Sequence, residues 1–226
     1  MTARARVVCV LLLCAGPVTA VQADDQTTAM RSGWQVGAGV GQSGIHVPGG
    51  FQFVDPSDTW SMVPSSDSVN AVGYQLFVGY RFSGNFALEG SYLDGGSMGW
   101  TYTAPAPPPI PTEFISLHNH PYAGALSAMG IVPLSRRFSL FARAGWARWW
   151  NDAELDVTQE PTKLKLTGSE KSGGFIWGGG ASVLVAGSLL RVEYQQMSPA
   201  THLFAGLRGS VDARWRLISL SLVYML

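Results

Sequence analysis

The sequence predicts an all-β protein, an eight-stranded antiparallel up-and-down transmembrane β-barrel. Eight segments alternate residue by residue between hydrophobic side chains and small or polar ones, which is the period of a strand with two unlike faces. The connections between those segments alternate between tight and long. Charged residues form only 13% of the chain, about half of the roughly 25% usual in soluble domains. Low charge with 27 glycines and 8 tryptophans fits strands in lipid better than a water-facing shell.

The N-terminus carries the layout of an export signal. Arg4 and Arg6 precede an apolar run over 7–16 that is too short to span a bilayer. Small-residue cleavage patterns end at Ala20 and Ala23, and a cut after Ala23 makes 1–23 a signal peptide and 24–226 the barrel domain. Cys14 is preceded by Leu13 where a lipoprotein signal requires a small residue, so lipidation is not expected. Both cysteines, Cys9 and Cys14, fall in the removed segment, which leaves no disulfide or thiolate chemistry. Without Arg4 and Arg6 the balance is 13 basic against 15 acidic side chains, and nothing in it attracts nucleic acid.

The strands are predicted near 33–43, 69–83, 85–93, 121–132, 137–149, 173–185, 189–196 and 213–226. In the first, Trp34, Val36, Ala38 and Val40 oppose Gln35, Gly37, Gly39 and Gly41. In the second, Val72 through Phe82 at even positions oppose Gly73, Gln75, Phe77, Gly79 and Arg81. The seventh sets Leu190, Val192 and Tyr194 against Arg191, Glu193 and Gln195, and the eighth sets Ile218, Leu220, Leu222, Tyr224 and Leu226 against Ser219, Ser221 and Val223. Most reach the roughly 9–11 residues that a tilted transmembrane strand requires.

Three connections are tight, at 83–85, 133–136 and 186–188; four are long, at about 44–68, 94–120, 150–172 and 197–212. Outer-membrane barrels pair short periplasmic turns with longer extracellular loops, so this order places all four long loops outside the cell. An even strand number returns both termini to the periplasm. Aromatic residues then fall at strand ends. Trp34, Tyr80, Phe82, Phe86, Phe138 and Tyr224 are expected at the periplasmic interface, and Tyr92, Trp146, Trp149, Trp177, Tyr194 and Trp215 at the outer one.

Two other architectures fit less well. Residues 172–190 hold no charge, a length sufficient for a membrane helix, but six glycines and the break at 186–188 favour strand, turn and strand. A soluble barrel would charge its outer face. Here the non-hydrophobic face is mostly Gly, Ser, Ala and Gln, which suits the narrow lumen of eight strands.

The segments Phe138-Ser-Leu-Phe-Ala-Arg-Ala-Gly145, Leu190-Arg-Val-Glu-Tyr-Gln195 and Phe86-Ala-Leu-Glu-Gly-Ser-Tyr92 resemble the fifth, seventh and third strands of OmpA-like outer-membrane barrels. The resemblance runs from about Gly33 to Leu226. It implies a bacterial outer-membrane protein, monomeric, in contact with lipid and lipopolysaccharide, without a cofactor. Ser219, Ser221, Tyr224 and Leu226 are similar to the C-terminal signal read by the barrel assembly machinery, with Ser221 in place of the usual glycine and Leu226 in place of phenylalanine. The peptidoglycan-binding domain of full-length family members is not expected, and this reads as a small barrel-only protein.

The residues able to carry chemistry lie on the inward face. Arg81, Arg143 and Arg191 share that register with Glu89 and Glu193, and Arg81 and Glu89 form a near-diagonal pair across the first tight turn. The resemblance implies an ion-pair network that blocks the lumen. Charges in a narrow lumen are costly unless paired or watered, and Phe77, Phe141 and Met129 help to fill the space. The alternative is a narrow pore for ions or small solutes in which the pairs rearrange.

His46, His118, His120 and His202 all fall in long connections without further ligands at metal-binding spacing, so no metal is expected. Barrels that deacylate lipid A use a His–Ser–Glu set on the lipid-facing wall. The strands show no such outward set, which leaves Glu113, Ser116 and His118 of a loop as the enzymatic alternative. The proline-rich stretch from Ala104 to Pro111 reads as a stiff spacer, and 160–171 as a solvated hairpin tip. Host, phage or lipopolysaccharide contacts through the loops follow from position rather than from a motif.

Overall fold

The structure, a computed structural model, describes residues 32–46, 51–54, 59–62, 68–104, 113–159, 162–199 and 214–226. The wall is built from β1 (Gly33–His46), β4 (Ser68–Ser83), β5 (Phe86–Asp94), β7 (Glu113–Pro133), β8 (Phe138–Gln159), β9 (Thr162–Val185), β10 (Ser188–Pro199) and β11 (Arg214–Met225). A separate ribbon pairs β2 (Phe51–Val54) with β3 (Thr59–Met62), and β6 (Met98–Ala104) pairs along the first part of β7. The β5–β7 pairing closes the sheet, and all eight neighbours are antiparallel.

Following Cα partners once round the wall from Gln35 passes Gly79, Glu89, Ser127, Gly145, Ile176, Met197 and Trp215. The path returns to β1 at Ile45, ten residues above its start. That stagger on eight strands sets a tilt of about 40° and an interior just wide enough for side chains. Gly180 shows how narrow it is, because a Cβ there would lie 2.9 Å from the Phe141 ring.

Alternation runs along the wall, and β11 is exposed-buried in turn from Arg214 to Tyr224. The outward face is apolar: Leu126 is 64%, Trp146 63% and Val72 60% exposed. Water would penalise an apolar surface of this extent, whereas hydrocarbon solvates it. The three short connections lie at one end. One is a two-residue hairpin in which Ala186 (φ 49°) and Gly187 (φ 83°) both take left-handed geometry, as the twist of the flanking strands requires. The stretch 172–190 is the end of β9, this turn and the start of β10. Among the described residues no helix is long and apolar enough to cross a membrane, a test that does not bear on barrels.

Two of the expected loops are strand instead. Most of 94–120 is β6 and the start of β7, and 150–172 is a continuous β8–β9 hairpin paired from Trp150↔Lys171 to Gln159↔Thr162. With 21, 22 and 24 residues, β7, β8 and β9 far exceed the roughly 10 that span a bilayer, so they project beyond it as a sheet. The charges of both stretches suit a loop, but they suit equally a sheet in water, which charges its outer face. In 44–68, β1 and β4 extend into the region and β2–β3 lies between them. In 197–212, β10 continues to Pro199 and the remainder falls outside the described residues. The export segment 1–23, the 105–112 proline stretch and His202 also fall outside them.

β5 and β6 act as one strand broken by a bulge. Asp94 pairs with Tyr122 and Met98 with Asn119, so three residues face two. Gly96 (φ 71°) supplies the left-handed step that a side chain would strain.

Candidate functional site

The lumen is packed in layers. Nearest the short turns, Phe77, Leu189 and Val223 form one apolar cluster, and Ala87, Met129, Ile131 and Phe141 another. Above them the charged layer sits in a wholly buried setting. Arg143 Nη1 donates to Glu193 Oε1 at 2.8 Å, and Arg191 Nη1 donates to Glu89 Oε2 at 2.8 Å. Arg143 Nη2 also lies 2.9 Å from Glu89 Oε1, and Arg191 Nη1 lies 3.9 Å from Glu193 Oε2. Two carboxylates and two guanidiniums thus form a closed square of zero net charge, the arrangement that makes buried charge tolerable. The Arg191 guanidinium is also stacked between aromatic faces, 4.6 Å from the Phe77 ring centre and 5.1 Å from that of Phe141.

Arg81 points inward as well, but it is tied to the tight turn, donating to Ser83 O at 3.1 Å and Gly84 O at 2.7 Å. Its guanidinium therefore lines the turn end of the lumen below the square. Gln35 reaches Glu89 from the same side, with Nε2 at 3.4 Å from Oε2.

Next comes a neutral polar layer. Gln195 Nε2 donates to Gln75 Oε1 at 2.6 Å, and Gln75 Nε2 donates to Ser219 Oγ and Ser221 Oγ, each at 2.8 Å. Ser219 and Ser221 thus face the lumen, whereas Tyr224 and Leu226 face outward.

The next layer is an apolar stopper. Ile45, Leu93, Met98, Leu117, Ala123, Ala147, Trp149, Ile176, Met197, Trp215 and Leu217 form one buried apolar cluster filling that half of the lumen. Trp149 and Trp215 were expected among the interface aromatics, and the structure corrects both: each is 2% exposed and points inward. The reason is parity. Trp149 falls on the same face as Arg143 and Ala147, and Trp215 on that of Ser219 and Leu217. Trp215 Nε1 donates to Ser43 Oγ at 2.6 Å, which satisfies its polar edge inside the cluster.

The other interface aromatics face outward. Trp34 packs edge-to-face on Tyr80 with centroids 5.3 Å apart, and Tyr80 packs on Phe82 at 4.9 Å, all at the turn end. Toward the opposite end Trp146 is exposed, and Trp177 lies 5.9 Å from Tyr194.

Above that second aromatic ring the outward face turns polar at the β5–β6 bulge. Asp94 accepts from the Tyr74 hydroxyl at 2.7 Å and from the Gly96 N–H at 2.8 Å, and its Oδ1 lies 3.0 Å from His120 Nε2. Burial pushes the Asp94 carboxyl up, but the Gly96 N–H, Tyr74 and His120 outweigh it and hold the group below its ordinary range. A depressed carboxyl contributes stability above its unfolded value and loses it as pH falls through the folded one. The refolded barrel should therefore lose part of its urea resistance on acidification below about pH 4, and Asp94→Asn should lose less. Equal acid sensitivity in both proteins would remove this contact from the account.

His118 and His120 sit on strand β7 rather than in a loop. Ser116 Oγ lies 3.1 Å from His118 Nε2, and Glu154 is the register partner of His118 on β8. An outward Ser, His and Glu therefore do come together, contrary to expectation, while Glu113 opens β7. The ring's Nδ1 edge, however, faces Gly99, and the Glu154 carboxylate is held by Lys165 at 2.5 Å. Nucleophilic catalysis requires the base to be oriented by a third group, which this geometry does not supply. Among the described residues no group of three His, Cys, Asp or Glu is placed to hold a metal.

A closed eight-stranded wall with an apolar exterior between two aromatic rings, around a filled lumen, defines a transmembrane β-barrel of the bacterial outer membrane. The chain belongs to the outer membrane protein β-barrel domain family, which it matches over residues 8–224. Among solved structures it is similar to Neisserial surface protein A, at 15% identity and a TM-score of 0.54, covering 86% of this chain and 98% of that one. It is also similar to OprG of Pseudomonas aeruginosa, at 10% identity and a TM-score of 0.52, covering 87% and 98%. At these identities the likeness concerns fold. No curated protein matches the sequence.

Proposed function

We propose that this protein is a plugged, non-enzymatic barrel that acts through the surface it presents outside the outer membrane. The single observation that carries this reading is the double closure of the lumen. An ion that displaced the Glu89–Arg143–Glu193–Arg191 square would meet, beyond the glutamine layer, the apolar stopper around Trp149 and Trp215, where it would lose its hydration without replacement. Both termini are periplasmic in this reading, residues 1–23 are removed on export, and the projecting β6–β9 sheet faces the surroundings of the cell. Ser219, Ser221, Tyr224 and Leu226 serve the barrel assembly machinery during biogenesis. The mature protein is a monomer without cofactor, and host or phage surfaces are its candidate partners.

Single-channel recording of the mature protein in planar bilayers tests the proposal, with the slower gel migration of boiled samples reporting the fold. Silence or rare flicker is the expected result. Steady ohmic opening would overturn the plug and make the five inward charged residues candidates for ion selectivity.

A further inference from the structure

Directly beyond the outer aromatic ring, the lipid-facing side of the wall carries four cations close together. Arg148 on β8, Lys171 on β9, and Arg214 and Arg216 on β11 are all exposed there. No carboxylate among the described residues pairs with any of the four. Arg148 is the register partner of Gly173, and Lys171 that of Trp150, so these two cations sit on adjacent strands two positions apart. Between them and β11, β10 contributes the neutral Gln196, whose partner is Arg216. Asp152 and Glu154 lie on β8 beyond Arg148, farther from the bilayer, and Asp94 lies on β5.

Each cation lies just above Trp146, Phe175, Trp177 or Ile218, exposed residues of the same strands that mark the end of the apolar band. Such a height is that of lipid headgroups. Four exposed cations without a carboxylate partner among the described residues, on an arc of four adjacent strands, make sense where the anion comes from the leaflet. We infer that this arc holds the phosphate groups of the phosphorylated glycolipid of the outer leaflet. The β8–β9 pair and the β11 pair are two strands, or about 10 Å, apart, so one glycolipid with two phosphates can bridge them. The inference rests on the proposed orientation, which puts this rim in the outer leaflet.

The test is energy transfer from the protein's tryptophans to dansyl-labelled lipid in phosphatidylcholine vesicles containing the refolded mature protein. Labelled bis-phosphorylated lipid A, its dephosphorylated form and phosphatidylglycerol are compared. The phosphorylated glycolipid should be enriched at the protein roughly fivefold or more over the other two. R148S/K171S/R214S/R216S should abolish that preference, the corresponding Arg-to-Lys set should keep it, and D94N/D152N should not reduce it. An unchanged preference in the serine variant overturns the inference, and so does equal enrichment of phosphatidylglycerol. Heat-dependent gel migration reports the fold separately. A folded, silent barrel with no lipid preference removes the arc and leaves the proposed function standing.

Discussion

Replacing Glu89 with glutamine should destabilise the refolded barrel by about 3–5 kcal/mol, the usual effect of breaking a buried charge pair from one side. Glu89 is the shared acceptor of the lumen, 2.9 Å from Arg143 and 2.8 Å from Arg191. Without its charge, two buried guanidiniums compete for Glu193, which is 2.8 Å from Arg143 but 3.9 Å from Arg191. Glu193→Gln should cost somewhat less, because it removes one close contact and one long one. Urea unfolding in detergent, followed by gel migration, gives both midpoints. A Glu89→Gln midpoint within error of wild type would show that the square is not closed in solution.

Trp215→Ala should have an effect of the same size for a different reason. Removing a fully buried indole costs about 3–5 kcal/mol through lost transfer energy and the cavity left behind. It also deprives the Ser43 hydroxyl of its 2.6 Å donor inside a buried apolar cluster. The same unfolding assay measures the stability loss. Conductance separates the two closures: Trp215→Ala alone should stay silent because the ion pairs remain, whereas Trp215→Ala with Glu89→Gln and Arg191→Gln should conduct. A conducting Trp215→Ala barrel would mean that the stopper, and not the square, is the principal barrier.

The strands were legible because lipid outside and a crowded lumen inside force opposite chemistry onto alternate positions. Val36 and Gln35, or Leu220 and Ser219, are sorted by that rule alone. Family resemblance pointed to a charge network, and the register of Glu89, Arg143, Arg191 and Glu193 already put those four on one face. What misled was aromatic identity. Trp149 and Trp215 lie at strand ends where a girdle belongs, yet counting from Arg143 and Ser219 places both inward. Charge misled in the same way beyond the membrane: Glu154, Asp156, Lys163 and Lys165 read as loop, although Leu155, Val157, Leu164 and Leu166 keep the period of two between them. The Asp94 contacts were not legible, since His120 reaches Asp94 only through the bulge at Gly96, a backbone event without a distinctive sequence signal.

The unequal ends of the barrel also bear on how it is held in place. One end closes in turns of a few residues, while the other carries the long β8–β9 hairpin with Glu154, Asp156, Lys163, Lys165, Glu170 and Lys171. The turn end carries Arg136 and Arg137 against the six charges named on the hairpin, and each charge dragged to the bilayer centre costs at least about 2.5–3.5 kcal/mol. In the proposed orientation the chain arrives from the periplasm, so the charged hairpin must cross the bilayer during assembly, a step that bare lipid opposes and the assembly machinery must ease. Once seated, the barrel resists being drawn back toward the periplasm, because the hairpin's charges would have to recross the hydrocarbon, a kinetic barrier that owes nothing to the packing of its core.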